Sequence, residues 1–267
     1  MSQYTVCQYD ITAVHQKLLE ILTAVDGVCK KHGIRYTLEG GTLLGAVKYG
    51  GFVPWDDDID IVMLRCDYEK FLRVCQTEMG ADSKYFIQNF RTVRDFPLNY
   101  TKVCMNNTLY MQSAYANLDI HHGLFIDVFP IDNVRPRLFG LHCALIGALT
   151  GGRAKKLGIA RAPKLRHKLI SLLPLALINR AVDAVLTLFS GKDTEYVYEL
   201  CNPNRVFKPL QRAVYTTLVE MDFMGRKFTA SALHEVFLQA RFGDIKRTPG
   251  SNERRPSHGI VKCSLDA

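Results

Sequence analysis

The feature that most constrains this chain is an acidic strand. Asp58 to Leu64 alternates polar and apolar residues, with Asp58 and Asp60 separated by Ile59. Alternate side chains of a β-strand share a face, so the two aspartates point the same way and lie close together. Two adjacent carboxylates repel each other unless a cation neutralises them. An all-oxygen site of this kind suits Mg²⁺ or Mn²⁺.

A glycine pair precedes this strand, in the sequence Glu39-Gly40-Gly41-Thr42. Gly40 and Gly41 have no Cβ atoms, so their amides can approach a phosphate group at the start of the helix that follows. Thr42 adds a hydroxyl group. A glycine pair alone is usually a turn, and a lone run of aspartates is usually a solvated loop or a cap. Their order in this chain instead predicts a site for a nucleoside di- or triphosphate and its metal.

A third carboxylate is expected from a neighbouring strand. Asp127 lies within Phe125–Phe129, between large apolar residues. A lone aspartate there is costly unless it is paired or bound to a metal. The alternative is a strand-end aspartate in a turn network, and Asp132 fits a loop or cap position.

Several further residues are weaker candidates for substrate contacts. Trp55 can stack on a base or sugar, or simply anchor the packing near Pro54. Asp56 and Asp57 lie between Trp55 and the acidic strand. Lys48 can meet a phosphate group or lie on a solvated helix face. His258 follows Arg254-Arg255, and these tail residues can close over an anionic substrate.

The chain's basic excess has one location. The formal charge is +8, from 34 Lys and Arg against 26 Asp and Glu. Residues 133–182 carry ten basic residues and no acidic one, which leaves 24 basic and 26 acidic residues elsewhere. Leucine-rich helices with this charge are typical of an interface with an anionic membrane, or of a helical subdomain with a solvated basic face. We expect no nucleic-acid binding, because no aromatic residues interleave with the charges.

The composition also bears on localisation. The eight cysteines are scattered and lack CxxC spacing, which favours free thiols in a reducing compartment. We find no signal peptide within Met1–Asp10 and no clean apolar stretch of membrane-spanning length. These features predict a cytoplasmic protein, with peripheral contact to the inner face of the plasma membrane as an open possibility.

The patterns predict an α+β fold, with a mixed sheet, flanking helices and a basic helical insert. We expect a catalytic core over 1–132, the insert over 133–202, and a C-terminal part completing the core over 203–267. The predicted helices are Asp10–His32, Thr42–Tyr49, Asp67–Met79 with Asp67 as the cap, two or three helices broken at Gly151-Gly152, Pro163 and Pro174, Asp193–Cys201, and Ser231–Phe242. The predicted strands are Ile34–Glu39, Asp58–Leu64, Tyr85–Asn89, Asn99–Met105, Thr108–Gln112, Gly123–Phe129 ending at Pro130, and a hairpin of Val214–Phe223 and Arg226–Phe228, followed by a loop-like tail over Gly243–Ala267.

Four stretches resemble one family. Glu39–Met63 closely resembles the signature of the LicD-type phosphotransferases, relatives of the fukutin group. Gly123–Asp132 resembles the second block of that family, and Gly225–Pro249 with Arg254–His258 resembles its C-terminal block. The resemblance covers most of the chain but matches the basic insert only loosely.

The resemblance implies a nucleotidyltransferase-like catalytic core. It implies that Gly40 and Gly41 bind phosphate, and that Asp58, Asp60 and Asp127 are catalytic metal ligands. The implied reaction moves a phosphocholine-like headgroup from a CDP-activated donor, such as CDP-choline, to a hydroxyl of a glycan or lipid-linked glycan of the teichoic acid, lipopolysaccharide or capsule type.

The sequence departs from the family pattern at two places. Lys48-Tyr49 replaces a more basic pair, and Phe242–Lys246 replaces a tyrosine-rich stretch. Both departures leave open which donor and acceptor are used. The alternative functions are a nucleotidyltransferase that releases pyrophosphate and a non-catalytic glycan- or metal-binding relative.

Overall fold

The computed structural model describes residues 7–79, 83–160, 163–202, 207–245, 250, 254–256 and 258–266. The helices are α1 (Ile11–His32), α2 (Gly40–Tyr49), α3 (Arg65–Glu78), α4 (Phe139–Lys156), α5 (Leu165–Ile170), α6 (Leu175–Leu186), α7 (Ala213–Thr216) and α8 (His234–Phe242), with a 3₁₀ turn over Pro136–Leu138. The strands are β1 (Thr37–Leu38), β2 (Asp60–Leu64), β3 (Tyr85–Gln88), β4 (Thr101–Met105), β5 (Leu109–Gln112), β6 (Phe125–Asn133), β7 (Tyr196–Tyr198), β8 (Leu210–Gln211), β9 (Leu218–Phe223), β10 (Arg226–Ser231) and β11 (Ile260–Ser264).

The fold is α+β, as predicted. A mixed sheet runs in the order β1-β2-β6-β4-β3, and β7 and β8 extend it from the far end of β6. β2 and β6 are parallel, whereas β4 runs antiparallel to β6. This order puts β2, which begins at Asp60 and not at Asp58 as predicted, directly beside β6, so Asp60 and Asp127 are register partners.

Local patterns explain α1. Its apolar residues recur with the helical period, and the buried side of the helix packs against β6 and α3. The side chain of Asp10 accepts a hydrogen bond from the Thr12 amide at 2.8 Å and caps the N-terminus. Gly33 ends the helix in the left-handed conformation, with φ 59°.

Two helix predictions were wrong at their ends. α3 begins at Arg65, so Asp67 lies in its first turn and is not the cap. The carboxylate of Asp67 instead accepts hydrogen bonds from the amide and side chain of Arg35. The helix predicted from Thr42 starts earlier, at Gly40, and the strand expected before it is reduced to Thr37–Leu38.

Strand β6 continues through Pro130, where we expected it to end. The amide of Asp127 donates to Ile59 on the β2 side, so an amide at position 130 would face the side of β4. Pairing with β4 ends at Val128, and proline therefore breaks no ladder hydrogen bond.

The basic segment is helical, but α4 runs unbroken through Gly151-Gly152. A Cβ atom on Gly152 would lie 2.3 Å from Cγ2 of Ile170. The glycine pair therefore permits close packing of α5 on α4 and does not end the helix. The helices share a second apolar cluster with the end of the sheet, formed by Val134, Cys143, Ile146, Ile178, Val182, Leu186, Tyr198 and Leu200.

The later part of the chain corrects two further predictions. The expected helix over Asp193–Cys201 contains strand β7 instead, because Tyr196–Tyr198 pairs with the end of β6. The tail is not all loop, since β11 pairs with β5. The hairpin around Gly225 is confirmed, but its first strand begins at Leu218, because Ala213–Thr216 forms α7. The helix predicted from Ser231 begins at His234, since β10 continues to Ser231.

Two observations relate to the predicted localisation. All eight cysteines lie in the described part of the chain and are free thiols. In the same residues, no helix has both the length and the apolar character to cross a bilayer. Arg161 of the basic segment and Lys246 of the Phe242–Lys246 stretch lie outside the described residues.

Candidate functional site

The centre of the candidate site is the junction of β2, β6 and β4. Asp127 on β6 is the register partner of Asp60 on one side and of Lys102 on the other. The ammonium of Lys102 lies 2.8 Å from Oδ1 of Asp127, and each side chain is only 4% exposed. A buried carboxylate needs such compensation, so the ion pair explains how an aspartate is tolerated inside β6.

Asp60 has a different environment. Burial raises the pKa of its carboxyl well above the usual value, and the charges of Asp58 and Asp127 raise it further. Asp56 and Glu199 act in the same direction. The neighbouring charges that act most strongly on the pKa of Asp60 are thus all carboxylates, whereas the Lys102 ammonium is paired with Asp127.

Asp58 lies just before β2. Burial raises the pKa of its carboxyl, the charge of His258 opposes this shift, and the charge of Asp127 adds to it. The three predicted carboxylates therefore act on one another, as the strand alternation led us to expect. Their roles as metal ligands stay a prediction.

Asp57 is held by three side chains. Its side chain is fully buried and accepts hydrogen bonds from the hydroxyls of Tyr9 at 2.8 Å and Tyr110 at 3.2 Å. Nδ1 of His258 lies 2.9 Å from its other oxygen. These contacts make Asp57 an anchor for His258, and a contact of Asp57 with substrate stays a prediction.

His258 joins the tail to the acidic strand. Its Nε2 lies 3.3 Å from Oδ2 of Asp58. Burial lowers the pKa of the imidazole, but the hydrogen bond to Asp57 and the charges of Asp58 and Asp57 outweigh it and raise the pKa to about 9. His258 is therefore protonated at neutral pH and brings one positive charge to the site.

The glycine pair at the start of α2 meets these aspartates. Gly40 has φ 53°, and a Cβ atom there would lie 3.0 Å from Oδ2 of Asp60. A Cβ atom on Gly41 would lie 2.2 Å from Oδ2 of Asp56. The amide of Asp60 donates to the Thr42 hydroxyl at 2.9 Å. Side chains at these positions would displace the carboxylates of Asp60 and Asp56, and phosphate binding by the glycine amides stays a prediction.

Asp56 is close to the predicted ligand Asp58. Burial raises the pKa of its carboxyl to about 8, and the charge of Asp58 and a hydrogen bond with it contribute. At neutral pH Asp56 is largely protonated, so it can donate a hydrogen bond to the Asp58 carboxylate.

The remaining candidates lie further out. The guanidinium carbon of Arg254 lies 5.8 Å from the ring centroid of Trp55, so the tail also contacts the loop before the acidic strand. Lys48 is at the other end of α2, where its ammonium donates to the Ile245 carbonyl at 3.0 Å. That contact joins α2 to the end of α8, and a role of Lys48 in phosphate binding stays a prediction.

One compact group of side-chain atoms that could bind a metal ion occurs in the described part of the chain. Oxygens of Asp57 and Asp58 and a ring nitrogen of His258 all lie within 4.8 Å of one another. Since Asp57 and His258 bind each other, we regard this group as a hydrogen-bonded network. Within the described residues, the predicted ligands Asp58, Asp60 and Asp127 do not form a second group of this compactness.

A cavity of about 240 Å³ lies beside Asp60 and Gly40. Glu39, Glu199 and Arg241 face it. The guanidinium of Arg241 is 3.9 Å from Glu39 and lies over the rings of Tyr198, Phe207 and Phe237. Burial raises the pKa of Glu199 to about 7 and that of Glu39 well above its usual value.

Several residues of the site were not predicted from the sequence. They are Tyr9, Lys102, Tyr110, Glu199 and Arg241, which come from five separate parts of the chain. A sequence signal existed for Lys102, because a lysine within the apolar strand β4 needs a buried partner. The others carry no local pattern.

The domain that these elements form has a known counterpart. Residues 33–136 match the LicD/FKTN/FKRP nucleotidyltransferase domain, a range that includes Gly40, Asp58, Asp60, Lys102 and Asp127. This match supports the assignment to the LicD-type family that the four motif stretches indicated.

Two kinds of relative support this assignment. The chain is 26% identical over 256 residues to the lipopolysaccharide cholinephosphotransferase LicD of Haemophilus influenzae, covering 90% of this chain and 92% of that protein. It is 50% identical over 66 residues to the ribitol 5-phosphate transferase FKRP of Mus musculus, covering 25% of this chain and 13% of that protein. The Homo sapiens FKRP matches equally over 12% of its length.

Proposed function

We propose that this protein transfers a phosphorylated alcohol headgroup from a CDP-activated donor to a hydroxyl of a cell-surface glycan. The similarity to a cholinephosphotransferase and to a ribitol 5-phosphate transferase supports this class of reaction. The observation that carries the proposal is the half-buried carboxylate of Asp60, which lies amid acidic neighbours and is the register partner of Asp127 on the parallel strand β6. Such a site suits a reaction on phosphate groups in which a cation offsets the negative charge.

We propose Asp58, Asp60 and Asp127 as ligands of Mg²⁺ or Mn²⁺, because all three offer carboxylate oxygens. Carboxylate oxygens are the ligands that these hard cations prefer. Burial and the charges of neighbouring carboxylates raise the pKa values of Asp58 and Asp60, and a bound cation would offset that negative charge. When bound, a divalent cation polarises phosphoryl oxygens and offsets the charge of a phosphate leaving group.

The transfer we propose breaks one bond and forms one. The acceptor oxygen attacks the phosphorus next to the alcohol headgroup, the bond from that phosphorus to the bridging oxygen breaks, and CMP leaves. The acceptor hydroxyl loses its proton to Asp127, whose Oδ1 is held by Lys102. Fixing one carboxylate oxygen orients the other toward the acceptor, and such positioning lowers the barrier.

The amides at the start of α2 are proposed to receive the phosphates of the donor. A helix start leaves its first amides without intrahelical acceptors and carries partial positive charge. Glu39 caps this end without a side-chain hydrogen bond to it. The cationic side chain of His258, which lies next to Asp58, adds positive charge to the site.

We place the alcohol headgroup in the cavity beside Asp60. The cavity adjoins the reacting region through Asp60 and Gly40, and it offers Glu39 and Glu199 as hydrogen-bond acceptors. Its aromatic wall, which already contacts Arg241, supplies the apolar surface that a choline-like group needs. A polyol headgroup would be held only by hydrogen bonds from its hydroxyls to the carboxylates of Glu39 and Glu199.

The test is a donor screen that reads CMP release with CDP-choline, CDP-ethanolamine, CDP-glycerol and CDP-ribitol in the presence of Mg²⁺. We expect release with at least one donor and its loss by at least about 100-fold in Asp60→Asn, as expected when charge stabilisation at a reacting phosphate is removed. Asp193→Asn is the matched control, because its side chain is fully exposed. Full activity of Asp60→Asn would refute the metal assignment.

One rival has a specific observation in its favour, the description of the matching domain as a nucleotidyltransferase domain. Such an enzyme would consume CTP and release pyrophosphate. Incubation with labelled CTP and a phosphorylated alcohol distinguishes the two reactions. Pyrophosphate release without CMP release from any CDP-alcohol would favour the rival. A protein that neither binds Mg²⁺-nucleotide by calorimetry nor turns over any donor would be a non-catalytic relative.

A further inference from the structure

A row of exposed leucines lies on α5 and the turn after it. Leu165 is 73% exposed, Leu169 is 59% exposed and Leu172 is 80% exposed. Their spacing of four and three residues puts them on one side of the helical turns. We call these three residues the leucine stripe. A single exposed leucine is ordinary, but a contiguous apolar surface marks an interaction site.

The leucine stripe is not a remnant of an unfilled core. The helices of the segment bury their inner sides, with Cys143 and Ile146 of α4 against Ile178 and Val182 of α6. α4 also carries outward leucines, Leu138 just before it and Leu141 and Leu145 within it, which are 43%, 60% and 44% exposed. The segment therefore presents apolar residues outward after its own packing is complete.

Close packing holds α5 in place. A Cβ atom on Gly151 would lie 2.6 Å from Cε1 of His167, and one on Gly152 would lie 2.3 Å from Cγ2 of Ile170. His167 and Ile170 are thus the inner side of α5. The leucine stripe is the outer side of a helix that is fixed on α4.

The charge of the segment surrounds this apolar surface. Lys164, Arg166 and Lys168 alternate with the first two leucines of the stripe and are exposed. Of the ten basic residues, Arg153 is buried and hydrogen-bonded to the Pro97 carbonyl, so it does not belong to the surface. The exposed ones are Arg135, Arg137, Lys155, Lys156, Lys164, Arg166, Lys168 and Arg180.

We propose that the leucine stripe and its flanking basic residues dock on a lipid bilayer that contains anionic lipids. Apolar side chains enter the boundary between headgroups and acyl chains, while lysine and arginine contact the lipid phosphates. The sequence has no acidic residue from 133 to 182, so nothing in the segment opposes a negative surface. A second copy of the chain is a poorer occupant, because the same positive charges would face each other. The docking rests on the insert alone and does not depend on the proposed reaction.

The test is co-flotation of the full chain with phosphatidylcholine vesicles, with and without phosphatidylglycerol. We expect binding only with the anionic lipid, and weaker binding at high salt. The triple variant Leu165→Ser/Leu169→Ser/Leu172→Ser should lose more than about tenfold in partition coefficient, since each leucine loses its apolar transfer. Lys164→Gln/Arg166→Gln/Lys168→Gln should lose about fivefold per charge.

A matched control removes the same number of charges elsewhere. Lys30→Gln/Lys31→Gln/Lys227→Gln alters exposed lysines outside the segment and should bind vesicles nearly as the unaltered protein does. Circular dichroism and thermal unfolding show whether each variant is folded. The proposal is overturned if the unaltered protein fails to bind anionic vesicles at low salt, or if the leucine variant binds them equally well. It is also overturned if the control variant loses as much binding as the variant of α5, or if sedimentation velocity shows that the leucine variant only dissociates a dimer.

Discussion

The buried ion pair between Lys102 and Asp127 offers the sharpest test of the site's electrostatics. Lys102→Met keeps the length and apolar stem of the side chain and removes its ammonium. The two groups are 2.8 Å apart and each side chain is 4% exposed. Removing one partner of such a pair leaves an uncompensated buried charge, which costs about 3–5 kcal/mol. For a chain of this size that loss lowers the unfolding temperature by about 10 °C.

The assay is urea unfolding in EDTA, followed by tryptophan fluorescence and circular dichroism. Lys227→Met is the control, because Lys227 pairs with Asp222 at 3.2 Å on the surface and both side chains are more than half exposed. We expect that control to change the free energy of unfolding by less than about 1 kcal/mol. The double variant Lys102→Met/Asp127→Asn should recover part of the lost stability, because no unpaired charge remains.

The same pair connects stability to the proposed metal. If Asp127 is a ligand, Mg²⁺ should stabilise Lys102→Met more than the unaltered protein, because the cation then supplies the charge that lysine no longer does. A loss of less than about 1 kcal/mol for Lys102→Met in EDTA would refute the reasoning about charge compensation, on the scale measured for exposed pairs. Equal stabilisation of both proteins by Mg²⁺ would refute the assignment of Asp127 as a ligand.

Three further predictions concern the scaffold. Gly152→Ala should lower the stability in thermal unfolding, because its Cβ atom would lie 2.3 Å from Cγ2 of Ile170. Gly147→Ala in the same helix has open space around its Cβ atom and should raise the free energy of unfolding by up to about 1 kcal/mol. Asp10→Ala should cost about 1 kcal/mol by removing the cap of α1, and Asp10→Ser should restore most of it. Burial raises the pKa of Glu69, but hydrogen bonds from Arg91 outweigh it and leave that pKa below its usual value of 4.5. The stabilisation from Glu69 is therefore present above pH 4.5 and lost as the pH falls through the lowered pKa, so an acid titration of Arg91→Gln should show a smaller loss of stability over that range.

Local patterns predicted much of the fold, and particular elements show why. α1 was predicted to within one residue, since its apolar period, its aspartate cap and its terminal glycine all lie within the helix or next to it. The helix break predicted at Gly151-Gly152 was wrong, because a glycine pair occurs both in turns and where two helices pack closely. β7 and β11 were missed because each is short and gains its hydrogen bonds from a strand distant in the sequence.

The order of residues along the chain already specifies the composition of two candidate surfaces, the aspartates at the start of β2 and the basic leucine-rich segment. Strand alternation predicted that Asp58 and Asp60 lie close together, and although Asp58 lies just before β2, its charge still acts on Asp60. What meets those aspartates depends on the folded arrangement instead. Strand register placed Lys102 against Asp127, and the return of the tail placed His258 between Asp57 and Asp58. These contacts depend on packing between distant segments, which no local pattern of residues contains.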